Sequence, residues 1–260
     1  MRKIAIISPC YNQLNLDGRF ATSLIKTIEI LKEENIHAEH VFIENTTLLT
    51  YNLNQAVNVF LEDKDYTDFV FINSNIIFEP RTVLDMITNY EDQRVLGGSC
   101  KTTEYGQVPR LEIELDLEKT ETMPGDLNLL KVNSLFLGFV KIKREVFEEN
   151  EKFFEKIYFQ NSKKEGDDFE EQKSFYFTSP VLGDEFYFKG TGYKFFNRLK
   201  KEAGEDLWCH FDFNVGQTDG NYIHHYPLDE YVKMIEHFKE KQKKQKPEEE
   251  KQELNWYEFF

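Results

Sequence analysis

Two asparagines flanking one serine, Asn73-Ser74-Asn75, follow the run Phe69-Val70-Phe71-Ile72 in this 260-residue chain. The run is apolar on both faces, as an inner strand of a covered sheet should be. Ligands of open α/β sheets bind beyond the carboxyl ends of such strands. The triplet therefore offers two amides and a hydroxyl where a ligand would be held. The same residue types also suit a plain turn, and both readings stay open at this point. His224-His225, with His210 and Asp212, have the residue types of a zinc site. Adjacent residues of a strand point to opposite faces, which argues against one shared metal. No Gly-x-Gly-x-x-Gly and no P-loop occurs, so dinucleotide and ATP chemistry lack a motif.

The elements that must position the triplet can be read from periodicity. Lys3 to Ser8 reads as a first strand and Pro9-Cys10-Tyr11-Asn12 as a loop. Ser23 is placed to cap a helix with Leu24, Ile28 and Leu31 on one face. Glu39 to Glu44 reads as a strand ending in Asn45-Thr46-Thr47. Leu53, Ala56, Val57, Phe60 and Leu61 form the inner face of a second helix. After the triplet, Pro80 opens a third helix, where its missing N–H costs little. Arg94 to Gly98 is a further strand. This alternation predicts a mostly parallel sheet covered by helices. Further on, Leu111 to Glu118 alternates as a half-exposed strand, and Leu129 to Ile142 holds one or two strands. Arg144 to Ile157 and Asp184 to Ala203 read as helices, Ser162 to Lys173 as a loop, and Leu207 to Phe213 as a short strand.

Net charge is −15, with 40% hydrophobic and 15% aromatic residues. An acidic body repels nucleic acid and anionic lipid, so neither is expected as a partner. Cys10, Cys100 and Cys209 are odd in number and widely separated, the pattern of free thiols in a reducing compartment. Met1-Arg2-Lys3 leads straight into a strand rather than a signal peptide, and no run reaches the length of a membrane span. A cytoplasmic protein is expected. The Asn-, Lys- and Phe-rich composition hints at an AT-rich, viral genome, and so at a host cytoplasm. From residue 236 onward the chain is rich in Lys, Glu and Gln, an exposed helix or a disordered tail. It ends in Trp256-Tyr257-Glu258-Phe259-Phe260, suited to docking on a protein surface. The expected division is a domain over 1–235 and a tail over 236–260.

The order of these parts resembles glycosyltransferases of the GT-A fold, close to the family-2-like group, from about Ile4 to Tyr226. Pro9-Cys10-Tyr11 resembles the family's first-strand loop against the nucleotide base. Glu44 falls where an acid touches base or ribose. Asn54 with Phe60-Leu61 resembles the family's Arg-Asn…Phe-Leu helix, with Leu53 in place of the Arg. Thr67 to Ile72 matches the strand before the family's Asp-x-Asp, whose acids are here Asn73 and Asn75. Gly138-Phe139 through Ile142-Lys143-Arg144 to Phe147 resembles the segment bordering the acceptor. Gly183-Asp184-Glu185-Phe186 resembles Glu-Asp-x-x-Phe, the motif of the catalytic base. Asp212 to Thr218 resembles the late segment whose His binds metal, here Gln217.

The resemblance implies a GT-A-like α/β domain that moves a sugar from a nucleotide-sugar donor to a glycan or other hydroxyl acceptor. The donor is expected over Pro9, Tyr11, Glu44, Asn73, Ser74, Asn75, Lys101 and Gln217, and the acceptor beside Gly138 and Phe139. Glu185 is the implied base, with Asp184 as alternate because the pair is reversed. The alternative for that pair is two acids at a helix N-terminus. Mg²⁺ and Mn²⁺ sites are built from carboxylates and phosphates. Asn73, Asn75 and Gln217 are neutral, so metal-independent, inverting transfer is expected, with no firm cofactor. Lys101, Arg110, Lys141 and Lys143 are candidates to steady the leaving diphosphate, although strand lysines also serve as solvated charges. Two alternatives stand beside this. One is a degenerate sugar- or nucleotide-binding or scaffold protein, and the other is metal held by amide oxygens and substrate phosphates.

Overall fold

The computed structural model describes residues 2–10, 17–44, 49–99, 121–135, 137–158, 172–177, 191–213, 215–218, 223–224 and 232–233. Tyr11, Lys101, Arg110, Asp184, Glu185, the 111–118 segment and the whole tail over 236–260 lie outside these residues. Residues 1–225 form one unit and 226–260 a second, and the expected boundary at 235/236 falls outside the described residues.

The first half runs β1 (Lys3–Cys10), α1 (Gly18–Glu33), β2 (His37–Glu44), α2 (Leu49–Glu62), β3 (Tyr66–Ile72), β4 (Ile76–Phe78), α3 (Arg81–Thr88) and β5 (Val95–Gly98). The second half runs β6 (Thr122–Met123), β7 (Asp126–Val132), β8 (Phe139–Lys143), α4 (Arg144–Asn150), β9 (Glu155–Tyr158), β10 (Gln172–Phe175), α5 (Thr191–Lys201), β11 (Leu207–His210), β12 (Val215–Thr218) and β13 (Ile223–His224). Among the described residues, an eight-stranded sheet has the order β2-β1-β3-β8-β5-β11-β7-β6. Only β8 and β7 run against the rest, so the sheet is mixed and mostly parallel, as expected. β13-β12-β4 and β10-β9 form two small sheets. No described helix is long and apolar enough to cross a membrane.

Helices cover both faces, and alternation along β3 decides which. Phe69 meets Phe60 of α2 and Phe147 of α4 at ring distances of 5.5 and 5.7 Å. Val70 points to the opposite face. Lys141 pairs with Val70 and reaches α3 there. The aromatic residues Tyr176, Phe177, Phe195 and Phe196 are buried and extend the core on the α2 face. Cys209 is buried and free.

Three local expectations are corrected. α1 is capped by Asp17, whose Oδ1 accepts the Arg19 N–H at 2.8 Å, and Ser23 lies buried inside the helix. The helix begins at Arg144 but ends at Asn150. The Asn150 amide turns back to Val146 O (2.9 Å) and to Glu205 Oε1 (2.7 Å), and a short 3₁₀ turn and β9 follow. Such local side-chain bonds compete with helix continuation. α5 ends at Lys201, two residues short of Ala203, while the expected start over 184–190 lies outside the described residues.

Two cations of the β8–α4 segment hold helix ends. The Lys141 Nζ is buried and donates to Met86 O (2.9 Å) in the last turn of α3 and to Tyr90 O (2.8 Å) just beyond it. Arg144 donates to Phe60 O (2.6 Å), Leu61 O (3.1 Å) and Tyr66 O (2.6 Å), and also to Asp63 O. Both sites satisfy carbonyls that a helix C-terminus leaves without partners.

Burial makes stability depend on pH. Desolvation pushes His40, bonded to Ser8 Oγ at 3.1 Å, down to about 4 from 6.5. The unfolded chain therefore takes up this proton first, and stability present above pH 6.5 is lost as pH falls towards 4, by at most about 3 kcal/mol. Desolvation likewise pushes Lys141 down to about 8 from 10.5. There the unfolded chain holds its proton longer, so stability rises between those values. Urea unfolding from pH 4 to 7 should show the acid slope in the native protein and its flattening in His40→Gln.

Candidate functional site

β3 ends at Ile72, and Asn73-Ser74-Asn75 turns the chain into β4, with the Ile76 N–H bonded to Asn73 O at 2.9 Å. The turn is not free-standing. Phe139 pairs with Ile72, and the Asn73 N–H bonds Gly138 O at 2.8 Å. The residues read as acceptor-side thus sit beside the triplet. Phe139 is itself buried, 5.3 Å from the Phe78 ring, so its side chain belongs to the core. On the other flank, β12 pairs with β4 and sets the Gln217 backbone opposite Ile76, one residue from Asn75. Gln217 lies far along the chain, yet the fold brings it to the triplet.

Pro9 and Glu44 lie at the carboxyl ends of β1 and β2. Pro9 pairs with Ile43 and Cys10 with Glu44, whereas the β1–β3 register stops at Ile7 with Phe71. The missing N–H of Pro9 therefore breaks no bond to β3. Pro9, Glu44, Asn73, Ser74 and Asn75 all occupy one edge of the sheet, and Gln217 joins them through β12.

The triplet is under-bonded. Asn73 Oδ1 and Asn75 Oδ1 are both buried without a hydrogen-bond partner among the described residues. Asparagines that merely shape a turn bond their own backbone. Buried acceptors without donors cost about 1–3 kcal/mol each, and call for an explanation such as a ligand. A cleft of ≈ 480 Å³ opens nearby, lined by Asp17, Gly18, Arg19, Thr22, Ser23 and Ile77, the last two residues past Asn75. The sequence reading missed Asp17 and Arg19, although an Asp ahead of an apolar-periodic run was a usable helix-start signal. Arg19 Nη2 meets Asp17 Oδ2 at 2.8 Å, so the cleft's cation is already paired with a carboxylate.

The residues here do not suit a tight Mg²⁺ or Mn²⁺ site. The oxygens at the triplet belong to neutral amides, and no group of three His, Cys, Asp or Glu that could hold a metal occurs among the described residues. Lys141 and Lys143 do not stand at this edge. Lys141 caps α3, and Lys143 pairs with Asp68 at the other end of β3 and lies 3.7 Å from Glu145. Arg144, read within the acceptor segment, caps α2 instead. Of the positions weighed for zinc, His225 lies outside the described residues, so that set is not tested as a whole. His210 bonds Asp126 Oδ2 (3.0 Å) and Tyr90 Oη (2.8 Å), and its Nδ1 accepts the Asp212 N–H at 3.3 Å.

No protein-family model and no curated protein matches the sequence. Among solved structures, A197 from STIV is 17% identical over 84% of this chain and 86% of its own, with a TM-score of 0.48. β1,4-Galactosyltransferase 7 from Drosophila, crystallised as a mutant with manganese, UDP-Gal and xylobiose, is 10% identical over 90% of this chain and 74% of its own, with a TM-score of 0.40. The S. aureus TarS fragment bound to UDP-GlcNAc is 14% identical over 59% of this chain and 48% of its own, with a TM-score of 0.36. By strand order and direction, the fold of this chain is a mixed, mostly parallel sheet covered by helices.

Proposed function

We propose that the chain binds a nucleotide sugar at the Asn73-Ser74-Asn75 edge and transfers the sugar to a hydroxyl acceptor, without metal and with inversion. The observation that carries the reading is the pair of unpartnered amide oxygens, Asn73 Oδ1 and Asn75 Oδ1, at the carboxyl end of β3, in a turn tied to Gly138 and flanked by β12. The unpartnered Oδ1 atoms are acceptors and suit the hydroxyl donors of a sugar, while side-chain amide N–H groups can donate to phosphate oxygens. In this reaction the acceptor oxygen attacks the anomeric carbon and gives its proton to Glu185. The bond to the diphosphate breaks, and the electron pair leaves with it. Asn73, Asn75, Gln217 and Lys101 are the proposed partners of the diphosphate, and Pro9, Tyr11 and Glu44 those of the nucleoside.

The second reading is a binding protein that has lost catalysis. It is favoured by the neutral triplet and by Leu53, a fully buried side chain where the family resemblance expects an Arg. Calorimetry and donor hydrolysis across a panel of nucleotide sugars, in EDTA and in Mn²⁺, separate the readings. Turnover surviving EDTA supports the transferase. Binding without turnover in any acceptor mixture supports the second reading, and no binding overturns both. Asn73→Ala is expected to weaken donor binding about tenfold, near 1.4 kcal/mol. Its melting temperature should hold or rise, because the substitution removes a buried acceptor with no donor. A variant that melts lower and binds as before would show the amide to be structural.

A further inference from the structure

We propose that His210 is a positioning residue for the Asn73-Ser74-Asn75 turn, acting through β12; this rests on the reading of that turn as the place of the donor's diphosphate. His210 ends β11 and is 7% exposed. A ring with two polar nitrogens is costly there unless both are bonded, and both are. Nδ1 accepts the Asp212 N–H at 3.3 Å, which in the neutral ring leaves the proton on Nε2. Nε2 lies 3.0 Å from Asp126 Oδ2 and 2.8 Å from Tyr90 Oη, and the Tyr90 hydroxyl donates to the same Asp126 oxygen at 2.7 Å. The ring also stacks on Phe213, with centroids 4.2 Å and planes 14° apart. One side chain thus joins the residue that follows α3, the start of β7 and the chain that leaves β11.

The exit that His210 fixes leads to the triplet. The Phe211 N–H bonds Asn128 O at 2.9 Å, and the Val215 N–H, which opens β12, bonds Phe213 O at 2.7 Å. A Cβ built on Gly98 would lie 3.1 Å from Val215 Cγ2 and 3.0 Å from Phe139 Cδ1, so glycine lets β12 start close over the end of β5. Phe139 pairs with Ile72, the residue before Asn73. β12 then runs beside β4, with Val215 opposite Phe78, Gly216 opposite Ile77 and Gln217 opposite Ile76. β4 follows the triplet directly, and among the described residues β12 is its one strand partner. β12 therefore holds the far side of the turn, as Gly138 holds the near side. A polar site grips its ligand well only when the packing behind it fixes it to within about 0.5 Å. His210 supplies that backing without touching the donor.

The test uses the full chain and compares three variants. His210→Phe keeps an aromatic ring for Phe213 and loses the polar bonds. His210→Asn keeps an oxygen able to accept the Asp212 N–H. Leu31→Ala is the core control. Calorimetry measures Kd for the tightest-binding nucleotide sugar of the panel above and for its parent nucleoside, beside melting temperature and hydrogen exchange. His210→Phe should weaken the nucleotide sugar about tenfold and the nucleoside by less than about twofold, because the proposed nucleoside contacts lie at Pro9, Tyr11 and Glu44. It should speed exchange at 76–78 and 215–218 about tenfold. His210→Asn should fall between it and the native protein. Leu31→Ala should melt lower and keep both affinities. Native affinity for the nucleotide sugar in His210→Phe, equal loss of both ligands, or exchange at β4 and β12 no faster than in Leu31→Ala would overturn the positioning role and leave the donor reading standing. A native protein that binds no nucleotide sugar would overturn the donor reading, and the positioning role with it.

Discussion

Glu185→Gln is expected to lower turnover by about 10²–10⁴-fold, the usual contribution of a positioned general base. The amide has nearly the shape of the carboxylate but cannot accept the acceptor's proton. The proposed single-displacement transfer has no covalent intermediate by which another group could share the step. Donor binding should stay within about twofold, because the proposed donor contacts lie on Pro9, Tyr11, Glu44, the triplet, Lys101 and Gln217. Steady-state kinetics beside donor calorimetry makes the comparison. The reversed order of the pair makes Asp184→Asn the necessary companion, with a small effect expected. A dead Asp184→Asn with an active Glu185→Gln would move the base by one residue. Full activity in both would remove the pair from the chemistry.

Arg144→Ala is expected to cost about 4 kcal/mol of stability, which lies at the upper end for single substitutions. The guanidinium donates to four carbonyls at and beyond the end of α2, lies 4.9 Å from the Phe60 ring, and pairs with Glu148 Oε1 at 2.9 Å. The Glu148 contact is exposed and contributes little. The carbonyl bonds matter more, because truncation leaves several polar groups without partners. Melting should fall by about 10 °C for a chain of this size. Arg144→Lys should recover only part of this, since an ammonium cannot span the same fork of acceptors. A loss below about 1 kcal/mol for Arg144→Ala in urea unfolding would show the carbonyls to be satisfied by water.

What the chain betrays of its fold is the short-range pattern. The unbroken apolar run of Phe69 to Ile72 marks an inner strand, and Pro80 marks the entry to α3. The parts that escaped reading depend on partners far away. Ile76 to Phe78 belongs to a separate small sheet because β12, distant in sequence, pairs with it. Lys141 is polar in a strand and reads as solvated. It is buried because the end of α3 lands over it and offers two carbonyls. The triplet's position at the sheet edge was legible from the strand before it. Its unmet hydrogen bonds were not, since those depend on how Gly138 and β12 close around the turn.

The clamps made by Lys141 and Arg144 bear on how the protein meets changes in ionic strength. Surface pairs such as Lys3 with Asp63 and Arg94 with Glu149 are open to mobile ions, and salt weakens them. The Lys141 ammonium is shielded by the protein, and the Arg144 guanidinium largely so; Lys141 bonds backbone carbonyls, and Arg144 bonds four of them beside its one exposed pair with Glu148. The strand that steadies Asn73 through Gly138 at one end is therefore held at the other by contacts that counterions scarcely reach. Brine would loosen this molecule's skin before it disturbed the strand beneath the triplet.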